Sequence, residues 1–169
     1  MKDLIYNQNK IPRGQWRYGF RSSAATGCGW IATYNALRLM GYYVAPEKLI
    51  RSFQRGLPLI NGNFGTFLFE PVRFFKKQGF PLKITARRGR FDELAKESDA
   101  NILFYYWRRK FKLGAHFVAL RHEEGNFVGY NTYRSSAGPD NYGSSLERFL
   151  KRQKYFFPVL IAIRDKRKK

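Results

Sequence analysis

Gly27-Cys28-Gly29-Trp30-Ile31-Ala32-Thr33-Tyr34-Asn35-Ala36-Leu37 is the stretch whose reading decides the fold, and it holds the only cysteine of the chain. A turn-forming run, Ser22-Ser23-Ala24-Ala25-Thr26, leads into it. From Cys28 to about residue 40 the pattern predicts a helix, stopped by Gly41. Trp30, Ile31, Ala32, Tyr34, Ala36, Leu37, Leu39 and Met40 are apolar, and Arg38 is the one charge. A helix apolar nearly all round belongs inside a core. Cys28 then lies in the first turn, where unpaired N–H groups and the helix dipole favour negative charge. That position suits a thiolate nucleophile. It equally suits a buried structural cysteine, since free Cys is among the most buried residue types.

Outward from this helix, the first half of the chain reads as helical. Residues 1–27 form an irregular entry rich in Gly, Asn and Arg. Pro46 opens a second helix to about Arg55, ended by Gly56-Leu57-Pro58, and 57–65 reads as a loop. Thr66 is the expected N-cap of a third helix to about Gln78, with Gly79 as its stop. The second half turns to strands at 82–86, 102–107, 114–122, 127–133 and 155–163, the middle pair joined by a Glu123-Glu124-Gly125-Asn126 turn. A short helix is expected at 91–98 and another after the Ser144-Ser145-Leu146-Glu147 capping box. Pro158 predicts an edge position or a bulge in the last strand. Three helices before any long strand predict an α+β fold with the helical half first.

Length places residues 1–169 in one domain, and a 44% hydrophobic, 18% aromatic composition excludes disorder. One cysteine excludes an intrachain disulfide, and two histidines beside it argue against a closed structural zinc site. No apolar run reaches the length of a signal peptide or a membrane span, so the chain as given is expected to be soluble and cytoplasmic. The 32 Lys plus Arg outweigh 12 Asp plus Glu for a net charge of +20. Such a balance fits an anionic polymer as partner, whether nucleic acid, wall polymer or acidic membrane, and equally a solvated surface with a basic tail, since no nucleic-acid motif accompanies it.

Gly27-Cys28-Gly29 ahead of a small-and-apolar helix is joined by Gln8 upstream, Gly65-Thr66, Ala115-His116-Phe117-Val118, and Asn131 about one hairpin further on. Together these resemble the papain-like cysteine peptidases, in particular the bacterial branch similar to the double-glycine leader peptidases of bacteriocin exporters. Trp30 and Ile31 stand where that branch more often has Pro and a small hydroxylated residue, and Asn131 where many relatives have Asp. The resemblance implies a two-lobed papain-like domain, its N-terminal helical half packed on a C-terminal antiparallel sheet half. It implies a cysteine peptidase that cleaves peptide or protein substrates through an acyl-enzyme, with no cofactor or metal. The Cys28 N–H and the Gln8 side chain would form the oxyanion hole, Gln8 matching the pattern better than Gln15.

Within that reading Cys28 is the nucleophile and His116 the base. The rival His122 shares a strand face with His116 but lies roughly 20 Å along it, beside two glutamates. A turn near 123–125 sets His116 opposite a residue between 131 and 133, which can bring Asn131 to its face as the orienter. Asp140 is the alternative orienter, in a turn-forming Gly138-Pro139-Asp140-Asn141 run. Cys28 beside a protonated His116 would rest as a thiolate–imidazolium pair. Two other functions suit the same residues: a non-catalytic basic protein of this fold that binds an anionic polymer, and a thiol acyltransferase or amidase with a non-peptide substrate.

Overall fold

Helix α2, Cys28–Leu39, is buried along its whole length except at Arg38. In the computed structural model, which describes residues 4–55, 65–132 and 137–168, two layers use its two sides. Ala32, Ala36 and Leu39 pack on the sheet, whereas Trp30, Ile31 and Tyr34 pack on Leu49, Ile50 and Phe53. The latter three belong to α3, Pro46–Gln54, which has Pro46 at its first position. An unbroken apolar sequence is thus what a helix between a sheet and a helix requires.

Among the described residues the main sheet is antiparallel, in the order β3-β8-β4-β5-β6-β7. Its strands are β3 Leu82–Thr85, β4 Ala100–Arg109, β5 Lys112–Glu123, β6 Asn126–Tyr130, β7 Asp140–Gly143 and β8 Phe156–Ile163. A two-stranded ribbon, β1 Arg17–Tyr18 and β2 Arg21–Ser22, precedes the short helix α1, Ser23–Thr26. Strand alternation divides the core. Ile102, Phe104, Phe117, Ala119 and Ile161 face α2 and α4, Glu70–Lys77. Leu103, Val118, Leu120 and Leu160 face α5, Phe91–Lys96, and α6, Leu146–Arg152. The α+β plan with its helical half first therefore holds, with a further helical layer on the far side of the sheet.

Several local expectations change. The third helix begins at Glu70, and Thr66 does not cap it. Instead its side chain fills the space left by Gly29: a Cβ there would stand 2.4 Å from the Thr66 Cβ. Gly27 is also required by close approach, since its Cβ would meet Ser23 O at 2.5 Å and Trp30 Nε1 at 2.7 Å. The Gly-Cys-Gly run is thus two tight packing contacts around one thiol. The entry segment contains a 3-10 turn, Gln8–Lys10, and β7 arises where sequence suggests only a turn. The expected loop at 57–65 lies outside the described residues except for Gly65, as does Tyr133 at the end of the fourth predicted strand. Ser145 does cap α6, accepting from Arg148 N at 3.4 Å. Pro158 sits at a bulge, where the β4–β8 register shifts between Phe104 and Tyr106. Its absent N–H costs no ladder bond to β3, whose pairing reaches only Leu160. The basic C-terminus is docked: Arg167 stacks 4.3 Å from the Tyr42 ring centre and donates to Met40 O at 2.6 Å. Among the described residues no helix is long and apolar enough to cross a membrane.

Candidate active site

The site forms where β6 parts from β5. The two-residue turn Glu124-Gly125 has φ of 48° and 79°, and Glu123↔Asn126 flank it. In such a hairpin the flanking pair is hydrogen-bonded, and alternate residues then direct their backbone groups across the pair. Arg121, Ala119 and Phe117 therefore point toward β6. The ladder ends at Ala119↔Tyr130, because Asn131 turns into the left-handed region at φ 68°. The Phe117 N–H is the first donor that β6 leaves, and it is directed at the Cys28 sulfur. The Cys28 and Gly29 N–H groups point at the same sulfur.

His116 precedes Phe117 and is fully buried. Its Nε2 lies 2.7 Å from Asn131 O. A carbonyl accepts only, so Nε2 carries the proton and Nδ1 is the basic nitrogen. The His116 ring meets Tyr105 edge-on at 6.0 Å between centres, its cross-strand neighbour in the register.

Asn131 enters the site differently from the sequence expectation. Its backbone carbonyl, not its side chain, reaches His116. The left-handed turn aims the side chain at Gln8 instead. Gln8 N donates to Asn131 Oδ1 at 2.8 Å, and Asn131 Nδ2 donates to Gln8 Oε1 at 3.0 Å. Gln8 Nε2 donates to Ala24 O at 2.9 Å, in the helix that leads into Cys28. Asn35, buried mid-way along α2, holds the entry segment by bonding both Ile5 N and Ile5 O, at 2.9 and 2.8 Å. Asp140, the alternative orienter, bonds a different residue. Its carboxylate accepts from the Thr132 hydroxyl, one residue past Asn131. His122 stays at the turn end of β5, 5.0 Å from the Phe127 ring and paired with it across the hairpin.

Burial sets the resting charge state. It pushes the Cys28 thiol up to about 11, against the three N–H groups that lower it. It pushes His116 down to about 4, against the bond to Asn131 that raises it. Both shifts favour the uncharged forms, a neutral thiol and a neutral imidazole, which runs against the expected thiolate–imidazolium pair. In a site closed to water, desolvation outweighs what the helix N-terminus offers.

Two residues escape a sequence reading. Tyr18 is fully buried, and its hydroxyl lies 3.3 Å from Thr66 Oγ1. Burial raises its pKa, and both Glu70 and Cys28 act on it in the same direction. It stands near the thiol, and nothing in the Arg17-Tyr18-Gly19 sequence marks it. The Phe117 N–H is a backbone group and carries no sequence signal at all. Among the described residues no group of three or more His, Cys, Asp or Glu is placed to hold a metal.

No protein-family model and no curated protein matches the sequence. Among solved structures, the chain is similar to the peptidase domain of Streptococcus ComA, a bi-functional ABC transporter involved in a quorum-sensing pathway. The TM-score is 0.53 at 15% identity, over 82% of this chain and 92% of that one. At that identity the likeness concerns the fold. The chain therefore has the papain-like peptidase-domain fold that its Gly27-Cys28-Gly29 stretch resembles.

Proposed function

We propose that the chain is a cysteine peptidase that cleaves a peptide or amide bond through an acyl-enzyme on Cys28. One observation carries this reading. The Cys28 sulfur sits at the backbone N–H next to His116, whose Nε2–H is fixed by Asn131 O. That bond leaves Nδ1 as the base and holds the ring in one tautomer.

Because the resting pair is neutral, proton transfer accompanies attack. As the sulfur bonds to the carbonyl carbon, its proton passes to His116 Nδ1 and the carbonyl oxygen becomes an oxyanion. The Cys28 N–H donates to that oxygen, as does the Gln8 Nε2 hydrogen not used by Ala24. His116 then gives its proton to the leaving amine, leaving a thioester on Cys28. Water, deprotonated by His116, hydrolyses the thioester and restores the thiol. Asn131 is a positioning residue for both partners, through its carbonyl for His116 and through its amide for Gln8.

The test is hydrolysis of a mixed fluorogenic peptide library by the wild type, Cys28→Ala and His116→Ala. Cleavage that disappears in both variants supports the reading. Cleavage that persists in Cys28→Ala removes it.

A further inference from the structure

The β4–β5 hairpin reaches beyond both of its neighbours. β8 pairs with β4 no further than Tyr106↔Phe156, and β6 pairs with β5 no further than Ala119↔Tyr130. Residues 107–114 therefore stand out as a two-stranded finger, paired from Trp107↔Gly114 to Arg109↔Lys112. At ~3.3 Å per residue it projects roughly 10 Å past the sheet.

The finger is apolar where it is most exposed. Phe111, at the turn, is 104% exposed and Leu113 is 67% exposed. Phe157, on the bulge of β8 near the base, is 76% exposed. Large apolar side chains this exposed, grouped at one end of a molecule, mark an interaction surface. Around them are Arg108, Arg109, Lys110 and Lys112, all exposed. The α6–β8 turn adds Lys154, beside the Tyr155 that lines a cleft with Trp107 and Arg109. Residues 100–122 and 148–164 contain no Asp or Glu, so nothing acidic on these segments offsets the cations.

The cations alone would fit any polyanion, but the apolar tip narrows the choice. A nucleic acid offers base faces to Phe111 and nothing to Leu113, whereas hydrocarbon takes both. Cations ringing an apolar tip match a surface that is anionic outside and apolar just beneath it. We propose that this finger inserts Phe111 and Leu113 into an anionic lipid leaflet, with Arg108, Arg109, Lys110 and Lys112 at the lipid phosphates. The proposal does not depend on catalysis.

The test is co-sedimentation with vesicles of phosphatidylcholine alone or mixed with phosphatidylglycerol, for wild type, Phe111→Ser/Leu113→Ser and Phe111→Trp. The substituted side chains face solvent, so circular dichroism should be unchanged. The proposal expects binding to the mixed vesicles and not to the neutral ones. The double serine variant should bind at least about tenfold more weakly. Emission from Phe111→Trp should shift to the blue on the mixed vesicles and be quenched by brominated acyl chains. Equal binding by the double variant would mean that charge alone acts, and would overturn insertion. So would an unshifted emission from Phe111→Trp together with Phe111-dependent binding to single-stranded RNA.

Discussion

Asn131 holds two site residues at once, His116 by its carbonyl and Gln8 by its amide. Gln8 and Asn131 are both buried, so removing either side chain strands polar atoms of the other. Gln8→Ala and Asn131→Gly should each cost about 1–3 kcal/mol in urea unfolding. Gly is chosen at 131 because it accepts the φ of 68°. The double variant should cost clearly less than the sum, since one interaction cannot be lost twice; strict additivity would refute the reciprocal bonds. The charge state of Cys28 has its own test. With the thiol raised to about 11, iodoacetamide should modify the resting protein slowly at neutral pH and faster as pH climbs toward that value. His116→Ala should lower that neutral-pH rate, because His116 takes the thiol proton as the sulfur attacks. A wild-type rate already fast at pH 6 would restore the thiolate–imidazolium pair.

At the scale of the element, α2 is placed by Thr66 as much as by its own apolar faces. Gly29→Ala would drive a methyl into the Thr66 side chain and should destabilise by about 1–3 kcal/mol. Thr66→Gly in the same molecule should recover much of that loss, read from thermal unfolding; no recovery would place the strain elsewhere. This contact also explains what the sequence did and did not make legible. The α2 pattern announces its burial, and Gly41 its end, because those depend on local periodicity and backbone freedom. Thr66 reads as a helix cap because its long-range partner, Gly29, is invisible locally. The same limit applies at β6. The turn at Glu124-Gly125 is plain in sequence, but the departure of Asn131 from the strand is a tertiary choice. So the residues Cys28, His116, Asn131 and Gln8 can be nominated from sequence, while their connections cannot. Asn131 meets His116 through a carbonyl, and Phe117 meets Cys28 through an N–H, neither of which a side-chain pattern encodes.

For the molecule as a whole, the buried pair shapes stability against pH. His116 is held near 4 in the fold against an ordinary 6.5, so between those values the unfolded chain binds a proton that the native state refuses. Its contribution is complete above about pH 6.5 and is lost as pH falls through about 4, amounting to about 3 kcal/mol. Cys28 has the opposite sign. Its contribution is complete below its ordinary 9.0 and is lost as pH rises through about 11. Urea unfolding across pH should therefore show a plateau with a fall on each side, and Cys28→Ala should flatten the alkaline fall alone. An unchanged alkaline fall in that variant would assign it to other groups. The central claim is that Cys28 and His116 act as nucleophile and base, and acylation by p-nitrophenyl acetate tests it without knowledge of the natural substrate. At neutral pH the wild type should release a burst of nitrophenol and carry one acetyl thioester on Cys28 by peptide mass mapping. His116→Ala should slow that acylation by about 10² or more. Equal rates in wild type and His116→Ala, or acetyl groups on lysines alone, would contradict it.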